Sequence, residues 1–155
     1  MDYLKFTALF VLMHVIAYTA AGAIALRFSK DIYESKKRHC TFLRDMSDKE
    51  ESQYVSKFFL PAQLVRGLLM AVVLFPFLQT FADMSFGARL AFFSSLMFVY
   101  THFAAVSPFM DNIEGFVYFK KEYLVRKFFL KFQYEMVIYS LLFGVLLSTG
   151  IAWTM

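Results

Sequence analysis

Between Lys5 and Arg27 the chain runs for 21 residues without an Asp, Glu, Lys or Arg. A helix of that length rises about 30 Å, the thickness of bilayer hydrocarbon. The n-region, Met1 to Lys5, holds one acid and one base. That is weak for a signal peptide, so residues 6–26 read as a membrane span. Three more apolar stretches follow, at residues 58–81, 88–107 and 128–155, separated by connections at 27–57 and 108–127 and by a short turn at 82–87. Hydrocarbon offers the backbone no hydrogen-bond partners, so such stretches are helices. The alternation of a membrane β-barrel is missing. Hydrophobic residues make up 59% of the 155, and 21 are Phe. One soluble core of this size cannot hide that much apolar surface. An ordinary soluble enzyme and a disordered chain are thereby excluded, and the single cysteine, Cys40, excludes an internal disulfide framework. The expected fold is all-α, an integral membrane four-helix bundle in one domain, residues 1–155.

Charge orients the bundle. Thirteen of the sixteen basic residues fall in the two long connections or at the start of the last span. Lys5 and Arg89 lie on the other side, and Arg66 lies within the second span. Positive residues stay cytoplasmic, which predicts an N-out, C-out topology with both long connections inside. The net charge of +4 follows from those loops and calls for anionic lipid, not nucleic acid.

The connections carry local signals. Ser47 and Glu50 have capping-box spacing, so a helix is expected from Asp48 into the second span. Pro61 then lies inside that helix or restarts it. Residues 108–127 read as an interfacial segment before the last helix. Its rings sit at headgroup level and Lys120, Lys121, Arg126 and Lys127 face anionic headgroups. Asp111 and Glu114 are the acids there that could face a pocket under the bundle. Cys40 beside Arg38 and His39 has the look of an acylation site near a membrane.

Ionisable groups inside spans are costly and face protein or water. His14, Arg66, His102 and Glu135 are the four. At ~1.5 Å per residue, Arg66, His102 and Glu135 fall in one layer in the inner third of the bilayer. An Arg66–Glu135 pair is expected there, with His102 close enough to sense it. It is either a packing device or a polar site open to the cytoplasm. His14 shares a helix face with Tyr18 and Gly22 and is expected to bond across the bundle. The depths of the two membrane histidines differ by roughly 8 Å, poor for one haem. His39 and Cys40 lack a second ligand pair for zinc. No cofactor or metal is expected.

Leu60-Pro61-Ala62-Gln63-Leu64-Val65-Arg66-Gly67, then Ser107-Pro108, Asn112 to Tyr118 and Ser140 to Gly144, resemble stretches of small bacterial four-span inner-membrane proteins of uncharacterised function. Where those carry Pro-Glu at the approach to the last span, this chain has Tyr134-Glu135. The resemblance implies a bacterial inner membrane and singles out Arg66, Glu114 and Glu135, with no activity attached. No phosphate loop, nucleophile elbow or catalytic triad pattern is present, so catalytic residues stay unassigned. Three functions remain open: an accessory or homo-oligomeric membrane module, a small transporter or channel using Arg66, His102 and Glu135, or an intramembrane enzyme on a lipid or isoprenoid with His102 or Glu114 as acid–base groups.

Overall fold

The computed structural model describes residues 2–34 and 37–154. These residues form helices and connections, without a strand among them. Helix α1 spans Tyr3–Leu26, and its N-cap is Asp2, whose carboxylate accepts the Lys5 backbone N–H at 2.7 Å. A short α2, Lys30–Tyr33, follows. Helix α3 spans Lys49–Val73. After it come a 3₁₀ turn at Phe75–Phe77 and α4, Leu78–Asp83. Helix α5, Phe86–Ser95, runs without a break into a π-helical stretch, Leu96–Phe103. A short α6 is Ile113–Tyr118, and α7 is Arg126–Thr154. Three helices, α1, α3 and α7, are long and apolar enough to cross a membrane.

Local chemistry explains where these helices differ from their sequence signals. The N-cap of α3 is Asp48, one residue after the expected Ser47. Its carboxylate accepts from the backbone N–H groups of Glu50 and Glu51, both at 3.0 Å. Ser47 is occupied elsewhere, its amide and hydroxyl both bonding Asp45 Oδ1, and Glu51 reaches back to the Asp45 amide. Helix α3 carries Pro61 in its interior and stops at Val73, short of the apolar run that ends at 81. The stop belongs to Pro76, which has no N–H to continue the ladder and sits at the start of the 3₁₀ turn. The apolar run 88–107 likewise stops being helical at Phe103. Ala104 N–H reaches back five residues to the Val99 carbonyl at 2.8 Å, the widened π register. Thr101 turns its hydroxyl onto the Met97 carbonyl at 2.8 Å, a side-chain bond that loosens the α ladder.

Helix α1 packs on α3 and α7, and α7 packs on α1 and α5, leaving α3 and α5 on the flanks. Neighbours run antiparallel: Phe10 meets Phe143 with ring centroids 4.9 Å apart, and His14 meets Tyr139 at 5.7 Å. The core lies along this seam, from Phe6, Phe10, Ala17 and Ala21 on α1 to Tyr139, Phe143, Leu147 and Ile151 on α7. Phe93 and Met97 close it from the α5 side. The seam is tight at Gly144, where a Cβ would fall 2.1 Å from Ser94 Oγ and 3.1 Å from the Leu90 carbonyl oxygen. Close approach of this kind is what small residues give helices in a membrane.

Both long connections lie at the end of the bundle where α1 ends and α7 begins, so the described basic residues of those loops gather there. Arg89, counted with Lys5 on the opposite side, is buried. Its Nη1 donates to the Phe81 carbonyl at 3.2 Å and so caps α4. The connections also pack on one another, which hydropathy did not foretell. Ile32, Cys40, Met110 and Phe132 form a second core with Tyr33, Leu43, Phe109 and Tyr123 around it. His39 stacks on Phe128 at 3.9 Å. Cys40 therefore points inward, fully buried, and is not presented for acylation. Burial lifts its thiol to about 11, with Arg38 pulling slightly the other way. Native protein is expected to resist maleimide at pH 8 and to take up one equivalent on unfolding. Rapid labelling of the folded chain would contradict this second core.

Candidate functional site

The sequence-selected polar residues separate into three clusters. The first is His14, fully buried between α3 and α7. Its Nε2 lies 3.1 Å from Gln63 Oε1 and its Nδ1 lies 2.7 Å from the Tyr139 hydroxyl. A Gln carbonyl oxygen can only accept, so the ring carries its hydrogen on Nε2 and Nδ1 accepts from Tyr139. Every polar atom of the imidazole is thus used inside the seam. Gly67 permits the approach, since a Cβ there would come within 3.3 Å of the His14 ring.

The second cluster joins the π-helical stretch to the interfacial connection. His102 Nε2 lies 3.1 Å from Asp111 Oδ2. Gln133 on α7 donates its amide to the Asp111 backbone carbonyl at 2.6 Å and lies 3.3 Å from His102 Nε2. Asp111 is fully buried, and its Oδ1 has no hydrogen-bond partner among the described residues. Asn112 organises the turn. Its carbonyl oxygen accepts from the amides of Phe109 at 3.0 Å and Gly115 at 2.8 Å, and its amide donates to the Ser107 carbonyl at 2.7 Å. Glu114 stands on the first turn of α6, half-buried, and makes no ion pair among the described residues. Only Asp111 of the two acids reaches inward.

The third cluster is a cavity of about 580 Å³ at the loop end of the bundle. Gly22, Ala23 and Leu26 from α1, Val55 and Phe59 from α3, and Leu43 and Met46 from the first connection give it apolar walls. Glu135 on α7, Tyr18, Tyr33 and Arg44 give it polar groups. The Tyr33 hydroxyl donates to Glu135 Oε2 at 3.4 Å. Burial first, and then the charge of Glu135, push the Tyr33 phenol well above its ordinary value, so Tyr33 stays a donor at any physiological pH. Gly22 faces the other oxygen: a Cβ there would lie 4.0 Å from Glu135 Oε1.

The expected Arg66–Glu135 ion pair does not form. Arg66 leans over the Tyr18 ring, 5.8 Å from its centroid, and its own groove on α3 is lined by Phe58, Pro61, Ala62, Val65, Leu69 and Met70. Similar depth did not give contact: α3 and α7 each pack mainly on α1, and Arg66 turns to the Tyr18 ring and its own groove. His102 and Glu135 also have separate first partners, Asp111 and Tyr33.

Among the headgroup candidates, Lys120, Lys121 and Arg126 are exposed. Lys127, also exposed, pairs with Asp31 at 2.6 Å, and Lys131, one turn on, pairs with the same carboxylate at 2.5 Å. This clamp ties α2 to α7 beside the cavity and had no sequence signal beyond an i, i+4 lysine pair. Burial pushes the Asp31 carboxyl up, but the hydrogen bonds and charges of Lys127 and Lys131 outweigh it and hold it below the ordinary 3.8. A depressed carboxylate contributes its stability above the unfolded value and loses it as pH falls through the folded one. The protection factor of the amides of residues 30–34, the observed rate set against the intrinsic rate at each pH, is therefore expected to stay constant from neutral pH down to about the ordinary aspartate value and to fall only below it. Asp31→Asn should lower it across the range above that value and leave it unchanged where Asp31 is protonated.

Among the described residues no group of three or more His, Cys, Asp or Glu side chains could hold a metal ion. No protein-family model, curated protein or solved structure matches the chain. The chemistry of the cavity and of the two buried clusters is accordingly the ground for assigning a role.

Proposed function

We propose that the chain is a four-span inner-membrane module, N-out and C-out, that binds an amphipathic molecule in the Glu135 cavity at the cytoplasmic boundary and does not conduct across itself. The continuous helix from Phe86 through Phe103 serves as the fourth span, and Lys120, Lys121 and Arg126 rest against anionic headgroups. The observation that carries this reading is the contrast between the cavity and the seam beyond it. The cavity is of ligand size, with apolar walls and a few polar groups, the usual make-up of a small-molecule site. Past Tyr18 the same seam is filled by His14, Tyr139, Phe143 and Phe10, all fully or nearly fully buried. A single chain thus offers a pocket and not a path. Purified protein in liposomes is expected to give no proton or potassium flux above empty vesicles, while a fluorescent long-chain amphiphile binds saturably. Flux that disappears with Glu135→Gln favours the transporter reading instead.

Arg66 supports a lateral partner as a second role. It lies in an apolar groove on the outer face of α3 without an acid among the described residues. A guanidinium there is better accommodated by protein than by lipid. A second copy of this chain is the simplest cover, in line with a homo-oligomeric module. Leu69→Cys, on that groove, is then expected to form a disulfide dimer in native membranes; a monomeric result under oxidation removes this role.

A further inference from the structure

Two ionisable residues, Glu135 and Arg44, line the cavity without an ionic partner among the described residues. Among the described residues Glu135, half-buried, has the Tyr33 hydroxyl as its hydrogen-bond partner, and Arg44, exposed, rests its guanidinium on the Tyr54 ring, 3.7 Å from its centroid. Among the described residues neither enters an ion pair, and they do not pair with each other. A carboxyl group on the wall of an apolar cavity and an exposed guanidinium on the same lining are complementary to a ligand with both signs of charge. The carboxylate oxygen facing Gly22 is open to a donor, and a primary ammonium supplies three. The phenol rings of Tyr18 and Tyr33 line the same space and favour a cation further. The guanidinium fork suits a phosphate. The remaining wall, Gly22, Ala23 and Leu26, is apolar and continues along a membrane helix.

We infer that the Glu135–Arg44 cavity holds the head of a zwitterionic amphiphile, its primary ammonium at Glu135 and its phosphate at Arg44, with the chain leaving along α1. This rests on the cavity being an amphiphile site, as proposed above. Its volume of about 580 Å³ suits the head and the first carbons. The same head chemistry occurs in phosphatidylethanolamine of the bilayer and in free phosphoethanolamine.

Native mass spectrometry of the full chain in detergent tests the inference. Four probes are added: dioleoyl phosphatidylethanolamine, dioleoyl phosphatidylglycerol, dioleoylglycerol and soluble phosphoethanolamine. The ethanolamine lipid is expected to stay bound at concentrations at least tenfold below the glycerol lipid and the uncharged diacylglycerol. Glu135→Gln should abolish that preference, and Arg44→Gln, on the connection and outside the spans, should weaken the ethanolamine lipid at least fivefold. Gly22→Leu, which fills the cavity without altering charge, should remove all bound lipid. Displacement of the lipid by equimolar phosphoethanolamine assigns the site to the free head compound; no displacement assigns it to the bilayer lipid. Equal retention of all three lipids, or a preference that survives both charge variants, overturns the head assignment while the amphiphile site stands. Lipid binding indifferent to Gly22→Leu overturns the site itself, and the inference with it.

Discussion

Replacing Gly115 with alanine is expected to detach the interfacial connection from the bundle. A Cβ at this position would lie 1.5 Å from the Phe109 carbonyl oxygen and 2.6 Å from its carbon. Both are backbone atoms, so no rotamer change relieves the clash. The turn that curls over α6 must open, and with it go the Asn112 bonds to Phe109 and Gly115. Asp111 then loses the position from which it meets His102 and Gln133, and Phe109 and Met110 leave the second core. Overpacking in a tight core costs roughly 1–3 kcal/mol. The loss here should reach the top of that range or beyond it. Thermal unfolding in detergent is the measurement, with Gly87→Ala as the control. Nothing lies within 4 Å of a Cβ at Gly87, and alanine in its helix should be neutral or stabilising by up to about 1 kcal/mol. Equal behaviour of the two variants would contradict the packing of the turn.

The second large effect is expected from His14→Leu. Leucine is close to imidazole in size, so the loss is mainly one of partners. Gln63 Oε1 and the Tyr139 hydroxyl both lose the ring, although Tyr139 keeps a contact of 3.3 Å with Met97 Sδ. A buried polar group left without its partner costs about 1–3 kcal/mol, and an interhelical bond in a membrane is worth about 1–2 kcal/mol. A loss of about 2–3 kcal/mol follows for the single variant. The triple variant His14→Leu, Gln63→Leu, Tyr139→Phe removes the stranded groups as well and should recover more than half of it. A single variant as stable as the parent, or a triple variant worse than the single, would show that the seam is not held by these bonds.

That the chain is helical, with helices long and apolar enough to cross a membrane, was legible in the sequence because hydropathy reports apolar length. What the sequence did not carry is rotation about each helix axis. Helix α1 is apolar on nearly every side, and a helix of that kind has no face that names its neighbour. Arg66 and Glu135 were therefore matched by depth and turn out to answer to Tyr18 and Tyr33. Tyr33 lies 102 positions from Glu135, in a connection whose one helix signal was the capping box at Ser47 and Glu50. That connection gains its structure by packing on the other one, a long-range event with no local signature. His14 is the exception. A histidine in line with Tyr18 and Gly22 could be read as bonding across the bundle, and it does so. Asp111 was named with Glu114 as an acid that could face a pocket under the bundle; its partners, His102 on the π-helical stretch and Gln133 on α7, had no signal in the sequence.

The most direct measurement is photolabelling of the full chain in native membranes with a long-chain alcohol carrying a diazirine near its head, followed by peptide mapping. An amphiphile seated as proposed labels the cavity walls: the end of α1 around Gly22 to Leu26, the first connection around Leu43 to Met46, and the stretch around Glu135. Gly22→Leu should remove that label. Label spread evenly over the outward faces of α3, around Leu64, Leu68 and Val72, and unchanged by Gly22→Leu would mean that the protein merely sits in lipid and that the cavity binds nothing.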